Sequence, residues 1–215
     1  MNIIETCEQG SAEWLALRLG KVTASRFAVT MMKGKKKGEP SKTAHDYLLE
    51  LVLERYSGKP TPFFTTDAMA YGTKMEPIAR EEYESRTGAQ VDQVAFIEHD
   101  EYIGVSPDGL VAGEGLIEIK CPQPKTQLRR YLAGEGIPKE YVAQVQGQLW
   151  ASKRKWCDFL SYSAEVPEPA QFLLTRVYRD EEYIEKLSEA VTTFAEELKS
   201  TCDKLYFDEI FNLDF

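Results

Sequence analysis

Cysteine and histidine are scarce in this chain: four cysteines (Cys7, Cys121, Cys157, Cys202) and two histidines (His45, His99) in 215 residues. No two cysteines form a CxxC pair, and neither histidine stands near one. That argues against a zinc site and a disulfide framework, and for a reducing compartment. No apolar run approaches the ~18 residues that would read as a membrane span, and the first residues have no basic region leading into an apolar stretch. A soluble, cytoplasmic protein is expected. Positive charge is in the minority, 26 Lys and Arg against 35 Asp and Glu, for a net charge of −9. Net charge governs solubility and non-specific association, whereas phosphate contact needs only a local basic surface. The deficit therefore weakens a nucleic-acid reading without closing it, and positive charge confined to a channel would reconcile the two. With no internal repeat, low-complexity linker or boundary, residues 1–215 read as a single domain, one that buries roughly 70% of its unfolded surface.

What is present is a charged hairpin. Ser106-Pro107-Asp108-Gly109-Leu110 is followed after a short turn by Leu116-Ile117-Glu118-Ile119-Lys120. Side chains alternate along a strand, so Glu118 and Lys120 share one face while Ile117, Ile119 and Cys121 take the other. The apolar face is expected to be buried and the charged face to line a cleft. Asp108, at the end of the preceding strand, would then meet Glu118 and offer hard carboxylate oxygens to Mg²⁺ or Mn²⁺. Such an ion polarises a phosphate and lowers the pKa of bound water. Lys120 would orient or deprotonate that water, because a lysine pKa falls readily on burial. The same residues also have a plain structural reading, since Ser-Pro-Asp-Gly is a good turn and Glu-Xaa-Lys a common solvated edge.

Other segments lean toward this hairpin. Ser11 reads as the cap of a helix through Trp14, Leu15, Arg18 and Leu19 that ends at Gly20, with Trp14 and Arg18 on one face. Ser25 reads as the N-cap of a second short helix through Phe27, Val29 and Met31, either part of an ordinary capped helix pair or a seat for phosphate. The run Lys33-Gly34-Lys35-Lys36-Lys37-Gly38 is a glycine-punctuated basic loop, a candidate for tracking DNA. A helix through Tyr47 and Arg55 stops at Ser57-Gly58. Another passes Met69 and Gly72 to Arg86, and Pro77 requires that it start or kink there, holding Glu76 toward the hairpin. Residues 90–98 and 102–105 alternate as strands and continue into the hairpin as an antiparallel meander. Pro138 opens a helix with Tyr141, Gln144 and Gln148 on one face and Val142, Val145 and Leu149 on the other. Two more strands follow over residues 156–163 and 171–178, and then Asp180 caps a long helix. The aromatic and acidic tail from Leu205 reads as a docking segment or an oligomer contact.

In this order the motifs resemble the phage lambda exonuclease family, also called YqaJ-type viral recombinases, within the PD-(D/E)XK nucleases. The matching segments are Glu13-Trp14-Leu15-Ala16-Leu17-Arg18-Leu19-Gly20, Val22-Thr23-Ala24-Ser25, residues 72–76, the Asp108 turn, Glu118-Ile119-Lys120-Cys121-Pro122 and Tyr141-Val142-Ala143-Gln144-Val145-Gln146. The resemblance implies an α/β (α+β) restriction-endonuclease-like core, with a central mixed β-sheet flanked by helices. It implies Asp108, Glu118 and the Ile119 carbonyl as ligands of Mg²⁺, with Mn²⁺ as a substitute and two ions per site. Lys120 would act on water, Glu76 would reach the second ion or its waters, and Tyr141 and Gln144 would support the site. Arg18, Ser25 and Ser106 would hold a 5′-phosphate, and Trp14 would join the DNA-contacting residues. Met69 aligns with an apolar wedge that parts the terminal base pair, while Asp67 stands where a basic residue is expected. Members act as ring-shaped trimers that digest one strand of duplex DNA 5′ to 3′ to mononucleotides, leaving a 3′ strand for a partner annealing protein. The implied setting is a phage or prophage protein in a bacterial host. Competing readings are a restriction-type endonuclease, which needs no end-phosphate pocket, and an idle module that binds DNA ends. An iron–sulfur nuclease would need a tight cysteine trio that this chain lacks.

Overall fold

The alternation of Leu116-Ile117-Glu118-Ile119-Lys120 sets the architecture. In the computed structural model, which describes residues 1–34, 40–62, 65–134 and 136–211 (207–211 by backbone alone), these residues form β7 (Gly115–Lys120). It lies in a five-stranded sheet of order β3-β6-β7-β8-β9. Its neighbours there are β3 (Val91–Asp92), β6 (Gly109–Val111), β8 (Trp156–Tyr162) and β9 (Phe172–Tyr178). β6 pairs antiparallel with β7, Gly109 opposite Ile117, and β8 pairs parallel, Glu118 beside Phe159 and Lys120 beside Ser161.

The period of two sends the two faces of β7 into two cores. Leu116 packs with Leu110, Phe159 and residues of α3 (Lys42–Ser57), α6 (Lys139–Ser152) and α8 (Glu181–Phe211). Ile117, Ile119 and Cys121 pack against Met75, Ala79 and Tyr83 of α4 (Asp67–Thr87). Helices thus cover both faces, and the charged face, expected to line a cleft, lines a small and largely enclosed one. Glu118 is only 1% exposed and the Lys120 side chain 26%.

A second, four-stranded sheet has order β1-β4-β5-β2: β1 (Asn2–Ile4), β4 (Phe96–Glu98), β5 (Ile103–Val105) and β2 (Val22–Thr23). The mixed α/β class is the one expected, but its strands divide between two sheets and the meander is broken. Residues 90–98 give Val91–Asp92 to one sheet and Phe96–Glu98 to the other.

Local chemistry places the helices. Ser11 caps α1 (Ala12–Arg18) by accepting the Trp14 N–H at 3.1 Å, as Ser41 and Thr66 cap α3 and α4. Gly58 (φ 65°) and Gly88 (φ 70°) end those two helices in the left-handed conformation. Pro77 neither starts nor stops α4: the helix runs through it, so the Thr73 carbonyl lacks its helical donor. Ser25 is not an N-cap. It lies inside a 3₁₀ turn (Ala24–Arg26) ahead of α2 (Phe27–Thr30), whose capping position is Arg26. Gly147 brings α6 against Phe27, because a Cβ there would lie 2.3 Å from the ring. Also present are α5 (Pro124–Ala133) and the short α7 (Glu168–Gln171). The tail from Leu205 continues α8 to Phe211, and its side chains from residue 207 on lie outside the described residues. Among the described residues no helix is long and apolar enough to cross a membrane.

One buried carboxylate is structural. Asp158 on β8 is 2% exposed and receives Arg176 at 2.8 Å on each oxygen and the Tyr83 hydroxyl at 2.7 Å. Arg176→Ala is expected to destabilise the protein by on the order of 2 kcal/mol, less than for a fully enclosed pair because the Arg176 side chain is 46% exposed. Urea unfolding checks this; an unchanged midpoint would contradict it.

Candidate active site

Glu118 is enclosed by donors from two elements. Its Oε1 accepts Lys120 Nζ at 2.5 Å and Gln144 Nε2 at 2.6 Å, and its Oε2 accepts Gln148 Nε2 at 2.7 Å. The two glutamines stand four residues apart on α6, one above the other on a single face. Asp108 precedes β6, its N–H donating to the Ile117 carbonyl at 3.1 Å and its Oδ2 accepting the Ile119 N–H at 2.5 Å. A strand residue directs its N–H and C=O to the same edge, so the Ile119 carbonyl leaves β7 on the edge Asp108 occupies.

The electrostatics are those of crowded negative charge. Burial, then the charges of Glu118 and Glu76, hold the Asp108 carboxyl well above its ordinary range, against the pull of Lys120 and the Ile119 N–H. Burial also raises Glu76, where the Arg80 ion pair at 2.7 Å opposes and the Glu118 charge adds. Lys120 corrects the sequence expectation of a lowered pKa. Burial pulls it down, but Glu118 and Asp108 outweigh burial and its pKa is raised.

A second group faces the same space. The half-buried Arg18 donates to Ser106 Oγ at 3.1 Å and Thr23 Oγ1 at 3.3 Å, and its guanidinium lies 4.3 Å over the Trp14 ring. Among the described residues no carboxylate is ion-paired with it, and burial lowers its pKa. Trp14 Nε1 donates to the same Ser106 Oγ at 3.1 Å and to the Ala95 carbonyl at 3.0 Å. With both of its lone pairs used, the Ser106 hydroxyl has its proton free for an acceptor. Gln9 Nε2 pins the loop by donating to the Pro107 carbonyl at 2.8 Å and the Val94 carbonyl at 2.9 Å.

A cavity of about 150 Å³ brings these groups together: Arg18, Ser25 and Ser106 line it with Asp108, Glu118, Lys120 and Gln144. Trp14, Gln9 and Gln148 also reach it. Glu76 lies instead on an adjoining cavity of about 570 Å³ with Arg80, Pro77 and Asp108. Tyr141 stands behind the site, its ring 5.2 Å from Lys120 Nζ and 5.4 Å from the Phe159 ring. Met69 is 48% exposed in the first turn of α4, and Lys33 is exposed on its loop. Lys35, Lys36 and Lys37 lie outside the described residues. The sequence puts Gln148 on a glutamine-lined face expected to meet phosphate, water or metal-bound groups, and here it meets Glu118; Gln9 and Arg80 carry no such mark. The i, i+4 spacing to Gln144 was the signal for Gln148; nothing local marks Gln9, which acts across 98 residues.

The donor set suits a hard divalent cation. Asp108 and Glu118, which line one cavity, and the Ile119 carbonyl offer hard oxygen donors, and the repulsion between the two carboxylates is the kind a cation relieves. Among the described residues no three Asp, Glu, His or Cys side chains converge on one point. Water and phosphate oxygens would complete the shell, as suits Mg²⁺, which dehydrates reluctantly.

The fold around this site is that of an alkaline exonuclease. The crystal structure of the alkaline exonuclease LHK-Exo from Laribacter hongkongensis matches with a TM-score of 0.83 at 37% identity, covering 93% of this chain and 98% of that one. The chain belongs to the YqaJ-like viral recombinase domain family, whose sequence model matches residues 13–155. LHK-Exo in complex with dAMP matches equally, with a TM-score of 0.83 at 38% identity and the same coverage of 93% and 98%. A phage related exonuclease from Haemophilus somnus shares the fold, with a TM-score of 0.65 at 19% identity, over 89% of this chain and 99% of that one. Protein YqaJ of Bacillus subtilis is 26% identical over 89% of this chain, and protein R354 of Acanthamoeba polyphaga mimivirus 27% identical over 71%. The chain spans 57% and 29% of the lengths of these two relatives.

Proposed function

We propose that this protein is a Mg²⁺-dependent exodeoxyribonuclease that digests one strand of linear duplex DNA 5′ to 3′ from a phosphorylated end, releasing mononucleotides. The observation that carries this reading is the shared cavity. Arg18, a half-buried cation answered by hydroxyls and a ring, opens onto the same space as Asp108, Glu118 and Lys120. A buried charge calls for a counter-charge, and the planar guanidinium fits two phosphate oxygens at once. The bond to be cut would lie one nucleotide from the anchored phosphate. That LHK-Exo forms a complex with dAMP supports a mononucleotide as the product released.

Asp108, Glu118 and the Ile119 carbonyl would hold the ion, with Glu76 reaching a second ion or its waters. Such an ion polarises the phosphodiester and lowers the pKa of its bound water. Lys120, held charged by its neighbours, donates one N–H to Glu118 and has two more to orient the water or a phosphate oxygen. Gln144 steadies Glu118, and Tyr141 backs Lys120. Trp14 acts through Arg18 and Ser106, on which it packs and to which it donates. Met69, exposed in the first turn of α4, would act as an apolar wedge that unstacks a terminal pair, at a cost of a few kcal/mol. The 3′ strand left behind is a substrate for an annealing protein in the host cytoplasm, and a ring-shaped trimer would keep the enzyme on its track.

The test is digestion of a linear duplex and a closed circular duplex, with Mg²⁺ and with a chelator. Mononucleotides from the linear DNA in Mg²⁺ alone, with the circle intact, are expected. Nicking of the circle would move the assignment to an endonuclease, and no cleavage of either to a module that binds ends.

A further inference from the structure

We propose that Gln148 is a positioning residue that presents Oε2 of Glu118 to the cation. The inference rests on the metal-dependent reading above. A carboxylate has about four lone-pair directions on its two oxygens. Oε1 already takes two donors, Lys120 Nζ at 2.5 Å and Gln144 Nε2 at 2.6 Å. Oε2 takes one, Gln148 Nε2 at 2.7 Å, so the open direction of Glu118 belongs to Oε2. The rotation of the carboxylate is therefore set from both ends, and the end that meets the ion is set by Gln148 alone.

The orientation of this amide follows from chemistry. Glu118 offers acceptors, so Gln148 must face it with Nε2 and turn its own Oε1 away. That Oε1 is buried without a hydrogen-bond partner among the described residues, in a side chain 0% exposed that lines the 150 Å³ cavity. A buried amide oxygen without a donor is unfavourable, and the donor chemistry that answers it is water polarised by a cation. Gln148 would thus steady the ligand with one prong and a metal-bound water with the other. Partners of this kind, when lost, weaken metal binding by about 10–100-fold.

The experiment is a calorimetric titration of Mn²⁺ into the metal-free protein without DNA, wild type against Gln148→Met, with digestion rate followed against Mn²⁺ concentration. Methionine fills nearly the same volume without donor or acceptor. The expected result is a dissociation constant raised about tenfold or more, a matching rise in the Mn²⁺ needed for half-maximal rate, and a rate at saturating Mn²⁺ that recovers most of the wild-type value. A folded Gln148→Met that binds Mn²⁺ as wild type does would overturn the proposal, and so would a rate deficit that saturating Mn²⁺ leaves untouched. Should that variant melt below the assay temperature, Gln148→Asn replaces it, one methylene too short to reach Glu118, with the same expected and overturning results. Wild-type protein that takes up no Mn²⁺ would instead overturn the metal-dependent reading itself.

Discussion

Asp108→Asn is expected to abolish DNA hydrolysis while making the metal-free protein more stable. The loss of activity should be on the order of a thousandfold or more, about 4 kcal/mol of barrier, because the variant removes a charged ligand of the proposed ion. The gain in stability follows from the crowding of charge. Asparagine has the same shape and can still accept the Ile119 N–H, but it removes a carboxylate that burial and the charges of Glu118 and Glu76 disfavour. A gain of about 1 kcal/mol would raise the melting temperature by roughly 2–4 °C. The sign with pH is fixed by the raised pKa. The native state holds the Asp108 proton to higher pH than the unfolded chain, whose value lies near the ordinary 3.8. Stability from this group is full below that value and is lost as pH rises through the folded value. Melting of the metal-free wild type should therefore fall over that window more steeply than melting of the variant. Lys120→Ala should also be inactive but with stability changed in the opposite direction, since Glu118 loses a cationic partner. Melting curves and digestion rates of the two variants decide this, and activity retained by either would sink the site.

Arg18→Ala is expected to erase the preference for a 5′-phosphate. Hydrogen bonds to a charged group contribute about 1.5–3 kcal/mol each, so losing the guanidinium should slow digestion of phosphorylated ends roughly 10–100-fold. Ends bearing a 5′-hydroxyl should be affected far less. Arg18→Lys should recover only part of the loss, because an ammonium cannot span two oxygens or stack as the guanidinium does on Trp14. Initial rates on matched duplexes with either end measure this. Equal slowing on both would point to a structural role for the Arg18, Trp14 and Ser106 cluster.

The placement of the site's side chains was more legible in the sequence than the topology. Alternation placed Glu118 with Lys120, and helical spacing placed Gln144 and Gln148 on one face, because both are local periodicities of the backbone. Caps at Ser11 and Asp180 were legible for the same reason, Asp180 accepting the Tyr183 N–H at 3.0 Å. The division into two sheets was not. Nothing between Val91 and Phe96 is proline or glycine, and the break is imposed by partners, β6 for Val91 and β1 and β5 for the strand that begins at Phe96. β1 is three residues long and meets its partner more than 90 positions later, so no local pattern announces it. α5 did carry signals, proline at its start and Gly134 (φ 62°) just past its end, but its apolar residues Leu128, Tyr131 and Leu132 face outward and blur the stripe. The burial of Glu118 could not be read from its strand, because the helix that closes over it comes from α6.

The central claim, that one cavity holds both the terminal phosphate and the metal, is tested most directly by a crystal structure of the Lys120→Ala variant with a short 5′-phosphorylated duplex in Mn²⁺. The account predicts anomalous density for Mn²⁺ at Asp108, Glu118 and the Ile119 carbonyl, with the terminal phosphate on Arg18 and Ser106 in the same cavity. Manganese bound away from Asp108 and Glu118, or a terminal phosphate that leaves Arg18 untouched, would contradict it.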